Sequence, residues 1–144
     1  GGSSYNVKVS TPGEAKISVS GGGLTPTSYP FRVKRIPDPV AKIGGKKGGS
    51  FGTGQLKAQQ GVYGDLENFD FEARCNISSY NFVYMPRRDD PQTVVNRGAK
   101  FSSDARALLG QIKPGDRISI EEVKAKCPGD KVTREINTMV FTIR

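Results

Sequence analysis

Tyr29-Pro30-Phe31-Arg32-Val33-Lys34-Arg35-Ile36-Pro37-Asp38-Pro39-Val40-Ala41 divides the chain into two unequal parts. Phe31 and Val33 alternate with Arg32 and Lys34, a period of two that puts the apolar pair on one strand face and the basic pair on the other. Pro37 and Pro39 cannot donate to a sheet ladder, so the strand ends at Ile36 or runs along an edge. The stretch reads as the lead-in strand of a folded domain, with Phe31 and Val33 anchored in its core and Pro37-Asp38-Pro39 stiffening the exit.

Upstream, residues 5–10 alternate (Tyr5, Val7, Val9), and residues 15–20 alternate again (Ala15, Ile17, Val19). With Thr11-Pro12-Gly13-Glu14 as the turn, they predict a β-hairpin. Gly21-Gly22-Gly23 and Thr25-Pro26-Thr27-Ser28 then read as a linker. A lone hairpin is marginal in water. The division expected is therefore 1–28, the C-terminal hairpin of a preceding β-domain plus linker, and 29–144, a terminal β-domain. An orphan hairpin could also cover its apolar face against a second copy of the chain.

Downstream, Gly44–Gly54 reads as a flexible basic loop carrying Lys46 and Lys47, and Thr53 as the cap of a short helix. Residues 69–77 give the cleanest strand, with Phe69, Phe71, Ala73, Cys75 and Ile77 inward. After Ser78-Ser79 the apolar set moves to Tyr80, Phe82 and Tyr84, which marks a bulge or corner. Met85–Asn96, with Arg87-Arg88-Asp89-Asp90-Pro91, reads as a polar loop. Ser102 or Ser103 caps a helix whose Ala105, Leu108, Leu109 and Ile112 share a face, stopped by Pro114-Gly115. Residues 117–127 form a strand with a parity change near Glu121-Glu122. After a turn at Pro128-Gly129, residues 132–143 return with Met139, Phe141 and Ile143 on one face. The expected fold is mainly β: an Ig-like, Greek-key β-sandwich with one or two short helices, preceded by a β-hairpin from an adjoining β-domain.

Composition closes off much chemistry. The 144 residues hold 18 glycines and 9 prolines but no tryptophan, which favours a turn-rich β architecture with a thin core. Histidine is absent, so triads, zinc-protease motifs and imidazole switches are excluded. Cys75 and Cys127 have no CxxC spacing. They form either one disulfide or two small buried apolar residues. The formal charge of +8 suits nucleic acid, an anionic membrane or an acidic protein. The basic residues are nevertheless spread along the chain, so neither nucleic acid nor direct membrane contact is expected. No apolar run approaches the ~20 residues that cross a bilayer. The chain reads as soluble and cut from something longer, with Gly1-Gly2-Ser3-Ser4 as a cloning remnant.

The glycine-rich loop fails as a nucleotide site, because no Gly-Lys-Ser/Thr follows at the required spacing. Asp89 and Asp90 could be metal ligands or an acid/base pair, but beside two arginines they read as surface charge. An enzyme would need Asp65, Glu67, Asp70 or Glu72 to converge, whereas Asp70 and Glu72 point away from the core beside Arg74. A carbohydrate-binding or adhesin module would need Tyr63, Tyr80 and Tyr84 in a groove. No catalytic, cofactor or metal residues are assigned. Lys46, Lys47, Arg87 and Arg88 are the expected partner-binding residues, chosen for exposure and charge.

Three phrases occur in order: Phe31-Arg32-Val33-Lys34-Arg35-Ile36-Pro37-Asp38-Pro39-Val40-Ala41, Leu66-Glu67-Asn68-Phe69-Asp70-Phe71, and Pro114-Gly115-Asp116-Arg117 before a strand and hairpin. Together they resemble the C-terminal periplasmic domain of the GldM/PorM family, from about residue 30 to the end. The resemblance implies a structural role in the type IX secretion and gliding machinery of Bacteroidetes. Members of the family pair through a membrane helix with GldL/PorL in a proton-driven inner-membrane motor. They raise a dimeric periplasmic stalk whose tip meets the GldK/GldN or PorK/PorN ring. The expectation is thus the distal end of that stalk, without the membrane segment.

Overall fold

The computed structural model describes residues 4–9 and 11–144, which fall into two units, Gly1–Ile36 and Pro37–Arg144. In the first, β1 (Gly13–Gly21) pairs antiparallel with β2 (Leu24–Val33), with Ala15 opposite Phe31 and Ile17 opposite Tyr29. Gly22 and Gly23 have φ of +58° and +76°. That is the double positive φ of a two-residue turn whose twist matches the strands it joins.

The glycine triplet is therefore the hairpin turn and not a linker, and the hairpin lies one element later than the sequence predicts. Residues 4–9 are in no helix or strand, while Gly1-Gly2-Ser3 and Ser10 lie outside the described residues. Tyr29–Val33 stays with the hairpin, so the units divide after Ile36 and not at residue 28. Phe31 is 53% exposed on the hairpin's apolar face and is not the core anchor expected of it.

The second unit contains β3 (Val40–Lys42), β4 (Gly49–Phe51), α1 (Thr53–Lys57), β5 (Tyr63–Asp65), β6 (Asn76–Met85) and β7 (Gln92–Arg97). It continues with α2 (Ser103–Gln111), β8 (Arg117–Lys126), β9 (Arg134–Glu135) and β10 (Met139–Ile143). One sheet runs β4-β10-β8-β6-β7, with β9 also on β8. All its pairs are antiparallel except β4 with β10. The β3–β5 pair stands apart from this sheet. The architecture is mainly β and sandwich-like.

One sheet face supplies Ile77, Tyr80, Phe82, Tyr84, Ile118, Ile120, Val123, Met139, Phe141 and Ile143 to the core. Ala41 and Ile43 from β3, Leu56 from α1, Phe101, and Ala105, Leu108, Leu109 and Ile112 from the α2 region complete it. The predicted face of α2 is the buried one, and Ser102 caps the helix by accepting from the Ala105 N–H.

The two parity changes read from sequence are one structural event. Ser79 lies opposite Lys124 and Asn81 opposite Glu121, so Glu122 and Val123 together face Tyr80. Glu122 takes φ +48° to make this bulge. On β6 the extra residue is Ser78, between the pairs Ile77–Ala125 and Ser79–Lys124. Both strands switch face together, which keeps the apolar side continuous.

Residues 69–75 are not the strand their alternation predicts. The pairing of β6 with β8 ends at Asn76 opposite Lys126, and one residue further Cys75 and Cys127 form a disulfide with Cα atoms 4.1 Å apart. Residues 66–75 have no β8 ladder to join. Phe69 is only half-buried and Phe71 is 73% exposed. The predicted polar loop at 85–96 is shorter than expected, because Gln92–Arg97 forms the edge strand β7. Gly44–Gly54 is likewise no long flexible loop. Ile43 and Lys46 exchange two backbone hydrogen bonds of 2.9 Å, and β4 and the start of α1 follow. The N-cap of α1 is Gly52 and not Thr53, the Gly52 N–H being held by the Gln55 side chain.

Candidate interaction surface

Two fasteners join the start of the larger unit to its last strands. The Ala41 N–H donates to Asn137 Oδ1 (2.7 Å), and Asn137 Nδ2 donates to the Ala41 carbonyl (3.2 Å), so one side chain imitates a strand neighbour for β3. Arg134, buried at the start of β9, donates to both oxygens of Asp130 (2.7 and 2.8 Å) and to Asp38 (3.1 Å). Asp130 also accepts from the Cys127 N–H (2.9 Å). A planar guanidinium can bridge carboxylates in this way where an ammonium cannot.

At the opposite end of β8, Asp116 is the buried centre of a second knot. Its carboxylate accepts from the Tyr84 hydroxyl (2.7 Å), the Lys113 N–H (2.9 Å) and the Arg87 N–H (3.1 Å). Burial pushes the Asp116 carboxyl up, but these three bonds outweigh it and hold the group below the ordinary aspartate range. Burial first, and then the bond to Asp116, push the Tyr84 phenol up to about 12. The sequence marks Pro114-Gly115 as the stop of α2 but gives Asp116 no such role. The available signal was an aspartate able to bond its own turn, seen here in Lys113 N–H to Oδ2.

The four residues expected to bind a partner do not form one patch. Lys46 and Lys47 lie in the turn before β4, and Arg87 and Arg88 follow β6. Three strand spacings, about 14 Å, separate β4 from β6 across the sheet. Lys46 is only partly exposed: its ammonium donates to the Ser50 carbonyl (2.8 Å) and lies 4.5 Å from the centre of the Phe51 ring. Lys47, Arg87 and Arg88 are exposed. Arg87, Arg88, Asp89, Gln92, Gln111 and Lys113 rim a hollow of about 470 Å³ over Tyr84 and Asp116.

Of the acids considered for catalysis, only Asp65 and Glu67 come together, and both are engaged by one lysine. Lys42 holds Asp65 (2.6 Å) and Glu67 (2.9 Å), and those bonds raise the lysine and lower Glu67. Asp70 and Glu72 are exposed on the irregular segment. Asp89 and Asp90 are exposed beyond β6. Among the described residues, no group of three or more acidic, Cys or His side chains stands close enough to hold a metal. Tyr80 and Tyr84 are core residues at 1% and 4% exposure, so the three tyrosines form no sugar-binding groove. Tyr63 is exposed beside a hollow of about 950 Å³ walled by the segment before Cys75. Among the described residues no helix is long and apolar enough to cross a membrane.

Residues 37–144 match the family model described as the GldM C-terminal domain, and the match begins where the larger unit begins. No curated protein matches the chain.

Proposed function

The chain belongs to the GldM family, residues 37–144 being its C-terminal domain, and on that premise we propose that it is a non-catalytic coupling module at the distal end of a periplasmic stalk. The family is a structural component of the gliding and type IX secretion machinery, a multi-protein complex, and its C-terminal domain is periplasmic. One observation carries the finer reading. Asp38 and Ala41, where the domain begins, are each hydrogen-bonded to a residue 96 positions away, Arg134 and Asn137. Force arriving along the incoming chain therefore passes into β9 and the β9–β10 connection instead of peeling β3 away. A buried disulfide suits an oxidising compartment such as the periplasm.

In this reading the full-length protein is anchored in the inner membrane beside GldL, and the domain meets the ring proteins of the GldK/GldN type. The stalk is a homodimer, with the hairpin of residues 13–33 closing a preceding domain. That hairpin presents Val19, Tyr29 and Phe31, each more than half exposed, on one face. The test is removal of residues 37–144 from the full-length protein. Capture of the ring proteins is expected to be lost while GldL still co-purifies, and undiminished ring capture overturns the assignment.

A further inference from the structure

We propose that the hollow between the β6–β7 loop and the α2–β8 turn is a docking site for an acidic segment of a protein partner. The proposal deepens the coupling-module reading and rests on it only for the supposition that the partner is a protein. Arg87, Arg88 and Lys113 line the hollow, with Asp89 as the one exposed acid among the lining residues. None of the three cations has a hydrogen bond or ion pair from its side chain among the described residues. Arg117, also exposed, begins β8 opposite Met85 at the same end of the sheet.

These cations are held in place by the backbone beneath them. Asp116 accepts from the N–H groups of both Arg87 and Lys113, so one buried carboxylate pins the two loops together. The Arg87 side chain lies across Gly115, which has φ +95° and where an added Cβ would sit 3.2 Å from Arg87 Cδ. Gly115 thus provides both the left-handed turn and the floor for the arginine stem.

The same arrangement selects carboxylates over phosphate. Many phosphate sites use converging backbone N–H donors, and the Arg87 and Lys113 N–H groups are already taken by Asp116. A negative charge under the floor also repels a compact dianion. Carboxylates spaced along a peptide can instead meet the cations singly at the rim, against the Pro86 and Pro114 walls.

The test is binding of fluorescein-labelled hexaglutamate to the whole chain, with amide shift mapping by NMR. Shifts are expected at residues 86–92 and 111–117. The pair Arg88→Glu/Lys113→Glu, both exposed, should bind about tenfold more weakly, as two reversed surface contacts imply. Lys124→Glu/Lys126→Glu, exposed near the other end of β8 with the same change in charge, should bind as the parent does. Equal weakening by both pairs, shifts scattered over the basic surface, or tighter binding of inorganic phosphate than of hexaglutamate overturns the proposal. Any of these can occur with ring capture intact, so the two readings fail separately.

Discussion

Replacing Cys75 and Cys127 together by alanine removes the cross-link that closes a loop spanning 52 residues. The chain-entropy relation for a loop of that size gives about 4 kcal/mol of lost stability at 25 °C. The native state should suffer little, because β6 and β8 still pair from Asn76–Lys126 onward. The loss corresponds to a fall of roughly 15 °C in Tm for a unit of this size. Urea unfolding followed by circular dichroism is the assay, with the hairpin present in both proteins so that its contribution cancels. A larger m-value in the variant is also expected, since an uncrosslinked unfolded chain exposes more surface. A loss below about 1 kcal/mol would refute the view that the bridge closes this loop against the unfolded ensemble. Both sulfurs belong to residues that are at most 7% exposed, so reduction of the native protein should be slow without denaturant.

Asp116→Asn should cost about 2–3 kcal/mol, because a buried carboxylate that satisfies two backbone donors and a phenol is replaced by a weaker acceptor. The folded-state pKa of Asp116 is depressed, so its contribution is present above the unfolded value of about 4 and fades as pH falls through the lower folded value. Acid unfolding should accordingly have a shallower pH dependence in the variant. Arg134→Ala removes the guanidinium from Asp130, leaving that carboxylate the Cys127 N–H but no bidentate cation, and should destabilise by about 3 kcal/mol, while a loss under about 1 kcal/mol would mean that water replaces the arginine. Gly61→Ala places a Cβ 2.2 Å from the Ala99 carbonyl oxygen and 2.7 Å from Lys100 Cα, a backbone collision that should be severely destabilising. Gly110→Ala in α2 meets open space and should stabilise by about 0.5–1 kcal/mol, so thermal melts should move in opposite directions.

The sequence disclosed those elements whose burial follows a single period. Helix α2, the Met139–Ile143 part of the strand expected over 132–143 and the coupled face switch of β6 and β8 were legible because each apolar set meets one core. Alternation alone misled at Phe69–Cys75, where the pattern is present but no neighbouring strand continues to receive it. The strand β7 was hidden by the charged Arg87–Asp90 run before it and by its place at a sheet edge, where Val95 is 64% exposed. Gly22-Gly23 looks the same as a linker or as a turn until its partners are known. The parallel β4–β10 pair and the Cys75–Cys127 bridge depend on long-range register, which a local reading does not contain.

The family was legible through three phrases whose structural duties are now visible in part. Asp38 is a ligand of Arg134, and Asp116 ties two loops to the sheet. The four basic residues expected to bind a partner were chosen for exposure and charge, which cannot tell Lys46, engaged with Phe51 and Ser50, from Arg88, whose side chain has no hydrogen bond or ion pair among the described residues. Phe31 and Val33 belong to a hairpin, so in the proposed coupling role the entry point is Pro37-Asp38-Pro39 instead.

Force transmission is tested most directly by pulling single molecules in optical tweezers, with handles attached at positions 36 and 144. The expected trace is one cooperative rupture of the larger unit, with the 52 residues closed by the disulfide, about 180 Å of extended chain, released only after reduction. In Arg134→Ala an early low-force step should appear as residues 37–43 peel away. Such a step in the unaltered protein, before the sheet yields, would contradict the coupling role.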